Sequence, residues 1–258
     1  MNDFFTFYSD IQDLKAPFMC FQLSHFIYIT LSILFIIILY KHYCILDEQK
    51  RIHMQRKIAV YFLIEECIYT IWLLFFCHDR VWVQILPFEL CSFCTYINVY
   101  SAFSQKEWSC FFSGVIGIFA GMAAMIYPMN ISGLYPVFSY RTINFFMLHA
   151  AFVLFALMQL KNKNLLDYKH LKTNYLFLCL LFSIAFFTNM FLGTQYMFIG
   201  FPPSLPIMKD IYNLVGSYLF LPFVWLVLYF IQSIIFLFLR RIYHVKSIKH
   251  NFFLQRKN

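Results

Sequence analysis

Charge is what this sequence has least of: Asp, Glu, Lys and Arg make up 12% of its 258 residues, against roughly 25% in soluble domains. That shortage excludes a soluble globular protein. Glycine (7) and proline (8) are also scarce, which excludes collagen-like and low-complexity disordered chains. No stretch alternates apolar and polar residues with period two, as the strands of an outer-membrane barrel must. What is present instead is 62% apolar composition with 35 Phe and 18 Tyr. The chain reads as an all-α polytopic membrane protein. The net charge of +8 is better explained by loops that orient a membrane protein than by nucleic acid, and no nucleic-acid partner is expected.

Apolar runs separated by charged or proline-containing breaks predict seven spans, at residues 22–40, 58–77, 83–103, 111–127, 143–160, 175–191 and 213–239. Together they make one integral membrane domain covering 1–258, a single bundle of seven transmembrane helices. The basic residues orient it. Lys41, Lys50, Arg51, Arg56, Lys57, Lys106, Lys161, Lys163, Lys169, Lys172, Arg240, Arg241, Lys246, Lys249, Arg256 and Lys257 fall on one side, and Lys15, Arg80, Arg141 and Lys209 on the other. By the positive-inside rule the N-terminus is outside and the C-terminus cytoplasmic, in a multi-pass plasma-membrane protein. Asp3, Asp10 and Asp13 outnumber Lys15 at the start, so no cleavable signal is expected. The tail, with His244, His250, Phe252 and Phe253 among its cations, reads as a cytoplasmic anchor or an interfacial segment. Cys44 stands where acylation would be possible.

Eight cysteines lie mostly inside apolar runs and read as reduced, buried thiols. Cys91 and Cys94 form a single CxxC without a second pair, too little for a metal site, and no metal or other cofactor is expected. The loop histidines and His25 lie near predicted membrane edges.

Ionisable residues inside hydrocarbon are costly and normally face the bundle interior. They are few here: Glu65 and Glu66 in span two, Glu89 and Cys91 with Asn98 in span three, Asn144 and His149 in span five, Asn189 in span six. At about 1.5 Å per residue, Glu65 and His149 lie roughly 12 Å, and Cys91 roughly 16 Å, from the charged residue at the nearer membrane edge. In a core about 30 Å thick all three are close to the midplane. Cys91, Thr95 and Asn98 share one helix face, as do Thr142 and His149. Pro87 suits the first turn of span three. A buried thiol needs a base to take its proton, so a Cys91–His149 nucleophilic pair oriented by Glu65 or Glu66 is one reading. A structural or solute-binding role for the same polar groups is the other.

The segment Leu86-Pro87-Phe88-Glu89-Leu90-Cys91-Ser92, the later His149, and Asn189 followed by Leu192-Gly193-Thr194-Gln195-Tyr196-Met197 with Pro202 and Pro203 resemble the YwaF-like bacterial integral membrane proteins. The match runs from about Arg56 to Arg240. The resemblance extends distantly to an animal acyltransferase, transmembrane protein 164, that acts on ether lysophospholipids with a membrane-embedded Cys and His. What it implies is a phospholipid acyltransferase or acyl hydrolase with Cys91 as nucleophile, His149 as base, and a membrane phospholipid or lysophospholipid as substrate. Glu65, Glu66, Glu89, Asn98, Asn189, Thr194, Gln195 and Tyr196 would then support the pair or line the substrate site. Two positions depart from the family pattern: Glu89 stands where His is common, and Gln195 where Asn is. The competing expectation is a small-solute carrier or binding component using the midplane Glu, His and Asn groups without covalent chemistry. Oligomeric state is not legible.

Overall fold

A computed structural model describes residues 4–11, 16–78, 80–162 and 165–255, with residues 162 and 243–255 described by backbone only. The expectations attached to Asp3, Asp13, Lys15 and Lys163, and to Lys246, Lys249, Arg256, Lys257, His244, His250, Phe252 and Phe253 in the tail, fall outside the described side chains. The chain forms two compact units, residues 1–163 and 164–258. Among the described residues all regular structure is helical: α1 Leu23–Ile45, α2 Glu48–Phe76, α3 Val81–Ile85, α4 Leu90–Ser104, α5 Glu107–Ile126, α6 Tyr140–Asn162, α7 Tyr168–Leu192 and α8 Pro206–Gln255, plus two single 3-10 turns.

Six of these helices, α1, α2, α5, α6, α7 and α8, are long and apolar enough to cross a membrane. The predicted third span, 83–103, is not one helix but two. The five-residue α3 ends at Ile85, residues 86–89 are non-helical, and the 15-residue α4 starts only at Leu90. Pro87 is the cause: it disfavours helical backbone at Leu86, which is extended (φ −62°, ψ 129°), and it offers no N–H to continue the ladder. α4 is therefore about 22 Å long, short of the hydrocarbon thickness.

In the first unit α6 is the central helix. It is covered by α5, α1, α2 and α4, and Phe145, Phe146, Phe152, Phe155, Ala156 and Met158 along it are 3% exposed or less. The closest approach is to α5, where Gly114, Gly117 and Gly121 present no side chain. A Cβ on Gly117 would stand 3.2 Å from Ala156 Cβ, and one on Gly121 2.8 Å from the His149 carbonyl oxygen. Gly117 and Gly121 form a GxxxG step, the device by which membrane helices bring their backbones together.

At one end of the unit, residues 4–11 and 16–21 run across the ends of α2 and α6 as an aromatic strap. Trp72 Nε1–H donates to Phe5 O at 2.7 Å, Tyr140 N–H to Phe4 O at 2.9 Å, and Phe18 N–H to Tyr135 O at 2.8 Å. His25, expected at the interface, is fully buried. It takes Phe21 N–H on Nδ1 (3.0 Å) and meets Met125 O with Nε2 (2.8 Å), which fastens the start of α1 to the end of α5. The opposite end is held by Tyr43, Gln55 and Gln105: Gln55 Nε2 donates to Tyr43 OH (2.8 Å) and Gln105 Nε2 to Gln55 Oε1 (3.1 Å). α3 thus begins at the strap end and α4 finishes at the glutamine end.

The strap is also tethered by an exposed contact, Asp10 Oδ2 to His78 Nδ1 at 2.7 Å. Its hydrogen bond to His78 holds the Asp10 carboxyl below the usual carboxylate range. Because that value is lowered on folding, the contact helps above the unfolded carboxylate value of about 3.9 and is lost as pH falls through the lowered one. Amide protection across residues 4–11, that is exchange corrected for its intrinsic pH dependence, is expected to fall modestly in strong acid, as for any exposed pair, and Asp10→Asn should show that lower protection at neutral pH already. Equal protection for wild type at pH 7 and in acid would contradict the tether.

In the second unit α7 packs on α8, joined at their buried faces by Asn174 Nδ2 donating to Gln232 Oε1 at 3.0 Å. The chain bends at Gly216, whose φ of 77° divides α8 into two helical stretches. The eight cysteines form no disulfide. Cys77, Cys94 and Cys110 are buried, Cys67 is exposed on the apolar outer surface of α2, and the others are partly exposed. The expectation of mostly buried thiols is corrected to that extent, three of the eight being buried.

Candidate active site

The break at Pro87 decides where Cys91 sits. It is the second residue of α4, so the N–H groups of Leu90, Cys91 and Ser92 have no acceptor within the helix, and the first i→i−4 bond of this turn is Phe93 N–H to Glu89 O at 3.1 Å. The N-cap Glu89 makes no side-chain cap to them. A helix N-terminus carries roughly half a positive charge, and here it is aimed at the sulfur. Its unpaired N–H groups suit an oxyanion formed beside Cys91.

His149 is supplied by α6, whose start is fixed by Ser139 accepting Thr142 N–H at 3.2 Å. Its Nε2 lies 3.1 Å from Cys91 Sγ and its Nδ1 2.6 Å from Phe145 O. A carbonyl oxygen can only accept, so Nδ1 carries the hydrogen and donates it to Phe145. Nε2 therefore presents its lone pair to the thiol, which is the tautomer a general base requires. The ring is 3% exposed and is held between Phe145 (centroids 4.2 Å) and Phe152 (5.7 Å). Of the three residues placed near the midplane by depth, Cys91 and His149 are thus in hydrogen-bond contact, and Glu65 is not part of that pair.

The orienting group is not a carboxylate. Phe145 lies one turn before His149 on the same helix, and its carbonyl takes the place expected of Glu65 or Glu66. Glu65 accepts instead from Asn144 Nδ2, which also donates to Tyr140 OH at 2.8 Å. Glu66 lies one turn before Tyr69 on α2, and the Arg141 guanidinium is stacked over that Tyr69 ring, 4.6 Å from its centroid, and 5.8 Å from that of Phe145. The guanidinium thereby stands over the ring that flanks His149, Phe145 lying 4.2 Å from the imidazole between centroids. Arg141 was counted at the sequence level only as a mark of the membrane edge; its stacking brings the charge inward to the site.

Deeper along α4, Thr95 and Asn98 continue the face of Cys91, each 1% exposed. Thr95 Oγ1, both amide atoms of Asn98, and Ser113 Oγ on α5 are buried without a hydrogen-bond partner among the described residues. Ser101 Oγ meets Cys110 Sγ at 3.4 Å, and one turn on from that pair the antiparallel register sets Asn98 opposite Ser113. Each unpartnered buried group costs about 1–3 kcal/mol, and such groups call for a water or a ligand oxygen. Asn98→Leu is accordingly expected to raise thermal stability while lowering whatever activity depends on Cys91. A variant both less stable and fully active would show that the amide has only a structural role.

Asn189, Thr194, Gln195 and Tyr196 belong to the second unit. Asn189, 1% exposed, uses its whole amide on the following turn: Nδ2 donates to Tyr196 O (2.9 Å), and Oδ1 accepts from Thr194 Oγ1 (2.7 Å) and Tyr196 N–H (2.8 Å). Gln195 spans the next loop, donating to Pro202 O (2.9 Å) and accepting from Ser204 N–H (3.1 Å). These side chains shape the 193–204 loop. No group of three His, Cys, Asp or Glu side chains suited to a metal occurs among the described residues.

Sequence reasoning missed Arg141 and the glycines behind His149. The glycines had a signal, Gly117-x-x-x-Gly121 in an apolar run; Arg141 had none beyond its nearness to His149 on the same helix. No curated protein and no solved structure matches the chain. The TMEM164 family matches it over residues 20–245, a stretch that holds every residue of the site just described. The chain belongs to the TMEM164 family.

Proposed function

We propose that this protein is a membrane-embedded acyl-transfer enzyme of phospholipids, of the YwaF-like branch, with Cys91 as nucleophile and His149 as general base. The observation that carries the reading is the 3.1 Å approach of Nε2 to Sγ with Nδ1 already committed to Phe145 O. His149 Nε2 takes the thiol proton as sulfur bonds to the ester carbonyl carbon. The negative charge on the carbonyl oxygen is met by the first-turn N–H groups of α4 and by Thr95 Oγ1–H. The C–O bond then breaks, the leaving lysolipid oxygen takes the proton from Nε2, and the acyl chain remains on Cys91 as a thioester. An acceptor hydroxyl, from a lysolipid or from water, reverses these steps.

The resemblance to the ether-lysophospholipid acyltransferase and the apolar surroundings of the pair support a lipid substrate. In this reading the chain is one membrane domain that crosses the plasma membrane seven times. α3 and α4 together make the third crossing, the N-terminus lies outside and the C-terminus in the cytoplasm. The deciding experiment is acyl transfer by purified protein in lipid nanodiscs, from a phospholipid with a labelled acyl chain to a lysolipid, for wild type, Cys91→Ala and His149→Ala. Transfer lost in both variants supports the enzyme. A solute carrier built on the same groups would tolerate Cys91→Ser and move no label.

A further inference from the structure

We infer that Arg141 and Glu66 bind a zwitterionic phospholipid headgroup beside Cys91, the phosphate on Arg141 and the ammonium on Glu66. This rests on the acyl-transfer reading above and specifies its substrate class. Arg141 is fixed in place by stacking over Tyr69 and Phe145, contacts that use the faces of the guanidinium and leave its N–H edges available. Glu66 and Tyr69 are one turn apart on α2, so their side chains are neighbours. Arg141 and Glu66 therefore look onto the same space and interact electrostatically. They do not close into an ion pair, and neither donates or accepts a hydrogen bond within the described residues. A cation and an anion held apart at the edge of an apolar site are each poorly solvated, and a ligand carrying both complementary charges satisfies the two together.

The position suits the chemistry. The guanidinium stands over Phe145, whose ring lies 4.2 Å from that of His149, and Arg141 lies in the first turn of α6, two turns or about 12 Å along the axis to the strap side of His149. In a glycerophospholipid the phosphate is only a few bonds from the second ester. With that ester carbonyl at Sγ, the phosphate falls within the reach of a long side chain from the α6 start. Arg offers a planar pair of donors to phosphate oxygens. The carboxylate of Glu66 attracts a headgroup ammonium and repels a headgroup with net negative charge. A site of one cation and one carboxylate thus favours phosphatidylethanolamine-type over phosphatidylglycerol-type lipids.

The test uses the full chain in nanodiscs of a dialkyl ether lipid, which has no ester to donate, doped with sn-2-labelled phosphatidylethanolamine or phosphatidylglycerol. The readout is labelled acyl thioester on Cys91. Wild type is expected to load at least about tenfold faster from phosphatidylethanolamine, equivalent to 1.4 kcal/mol. Glu66→Gln should bring the two donors towards equal rates by speeding phosphatidylglycerol. Arg141→Gln should slow both about tenfold or more, with partial recovery in Arg141→Lys. Iodoacetamide alkylation of Cys91, measured for each variant, corrects the loading rates for any change in thiol reactivity, and because such a change scales both donors alike, the ratio between donors reads headgroup binding. Equal wild-type loading from the two donors, or a Glu66→Gln effect of the same size on each, overturns the headgroup site while leaving the acyl-transfer reading intact. No Cys91 label from either donor overturns that reading and the headgroup site with it. If Arg141→Gln does not fold, Arg141→Lys and Glu66→Gln carry the comparison.

Discussion

Replacing Cys91 with Ala is expected to abolish acyl labelling of the protein outright, and replacing His149 with Ala to slow it by about 10²–10⁴-fold, or roughly 2.7–5.5 kcal/mol of barrier. The two losses have different origins. In the proposed reaction sulfur is the atom that becomes acylated, so nothing in the site replaces it, whereas the imidazole only moves a proton, which water can move slowly. The label in wild type should be released by hydroxylamine, as a thioester is. Because His149 is supported by a backbone carbonyl, no carboxylate substitution should reproduce the His149→Ala defect, and Glu65→Gln is expected to cost far less. Labelling that survives Cys91→Ala in folded protein would remove the nucleophile from consideration, whatever His149 does.

Gly121→Ala is expected to be the most damaging single methyl in the first unit. The added Cβ would meet Val153 Cγ2 at 2.7 Å and the His149 carbonyl oxygen at 2.8 Å. The second of these is backbone, which cannot rotate away, so α6 must move. Overpacking of this kind costs about 1–3 kcal/mol or somewhat more, offset only in part by the gain of up to about 1 kcal/mol in helix propensity. The same displacement carries the imidazole off Cys91, so labelling should fall further than stability does. Gly114→Ala provides the comparison: its Cβ would meet Leu160 Cδ2 at 2.8 Å and Cγ at 2.9 Å, both side-chain atoms, which can shift where a backbone carbonyl cannot. Thermal unfolding and Cys91 labelling should therefore rank Gly121→Ala well below Gly114→Ala. The reverse order would mean that α5 and α6 are not packed through these glycines.

Much of this was legible in the sequence because the bilayer makes composition informative. Long apolar runs marked six helices of spanning length, and the scarcity of polar residues in the apolar runs brought Glu65, Cys91 and His149 to one depth. The third span misled because hydropathy averages over a window. Its residues are apolar enough, but Pro87 acts on the backbone of its neighbours, and a proline there suits an unbroken first turn equally well. The partner of His149 was missed for a related reason: a backbone carbonyl has no residue signature, so the reasoning reached for the nearest carboxylates. Asn189 was legible as important and illegible as to why. Only coordinates reveal that its amide is spent on the 194–196 turn.

The shortness of α4 also bears on how the protein is made. A helix of 15 residues preceded by non-helical backbone at 86–89 is a poor candidate to leave the translocon into lipid by itself, since backbone N–H and C=O groups have no partners in hydrocarbon. The turn at Gln105 and Lys106 is tight, so α4 and α5 are suited to enter as a hairpin. α6 emerges from the ribosome after both, and it brings His149 to Cys91. In the acyl-transfer reading Cys91 is thus without its base until the next helix arrives, and nascent chains truncated before α6 should carry a thiol that can be alkylated but is acylated no faster than in His149→Ala.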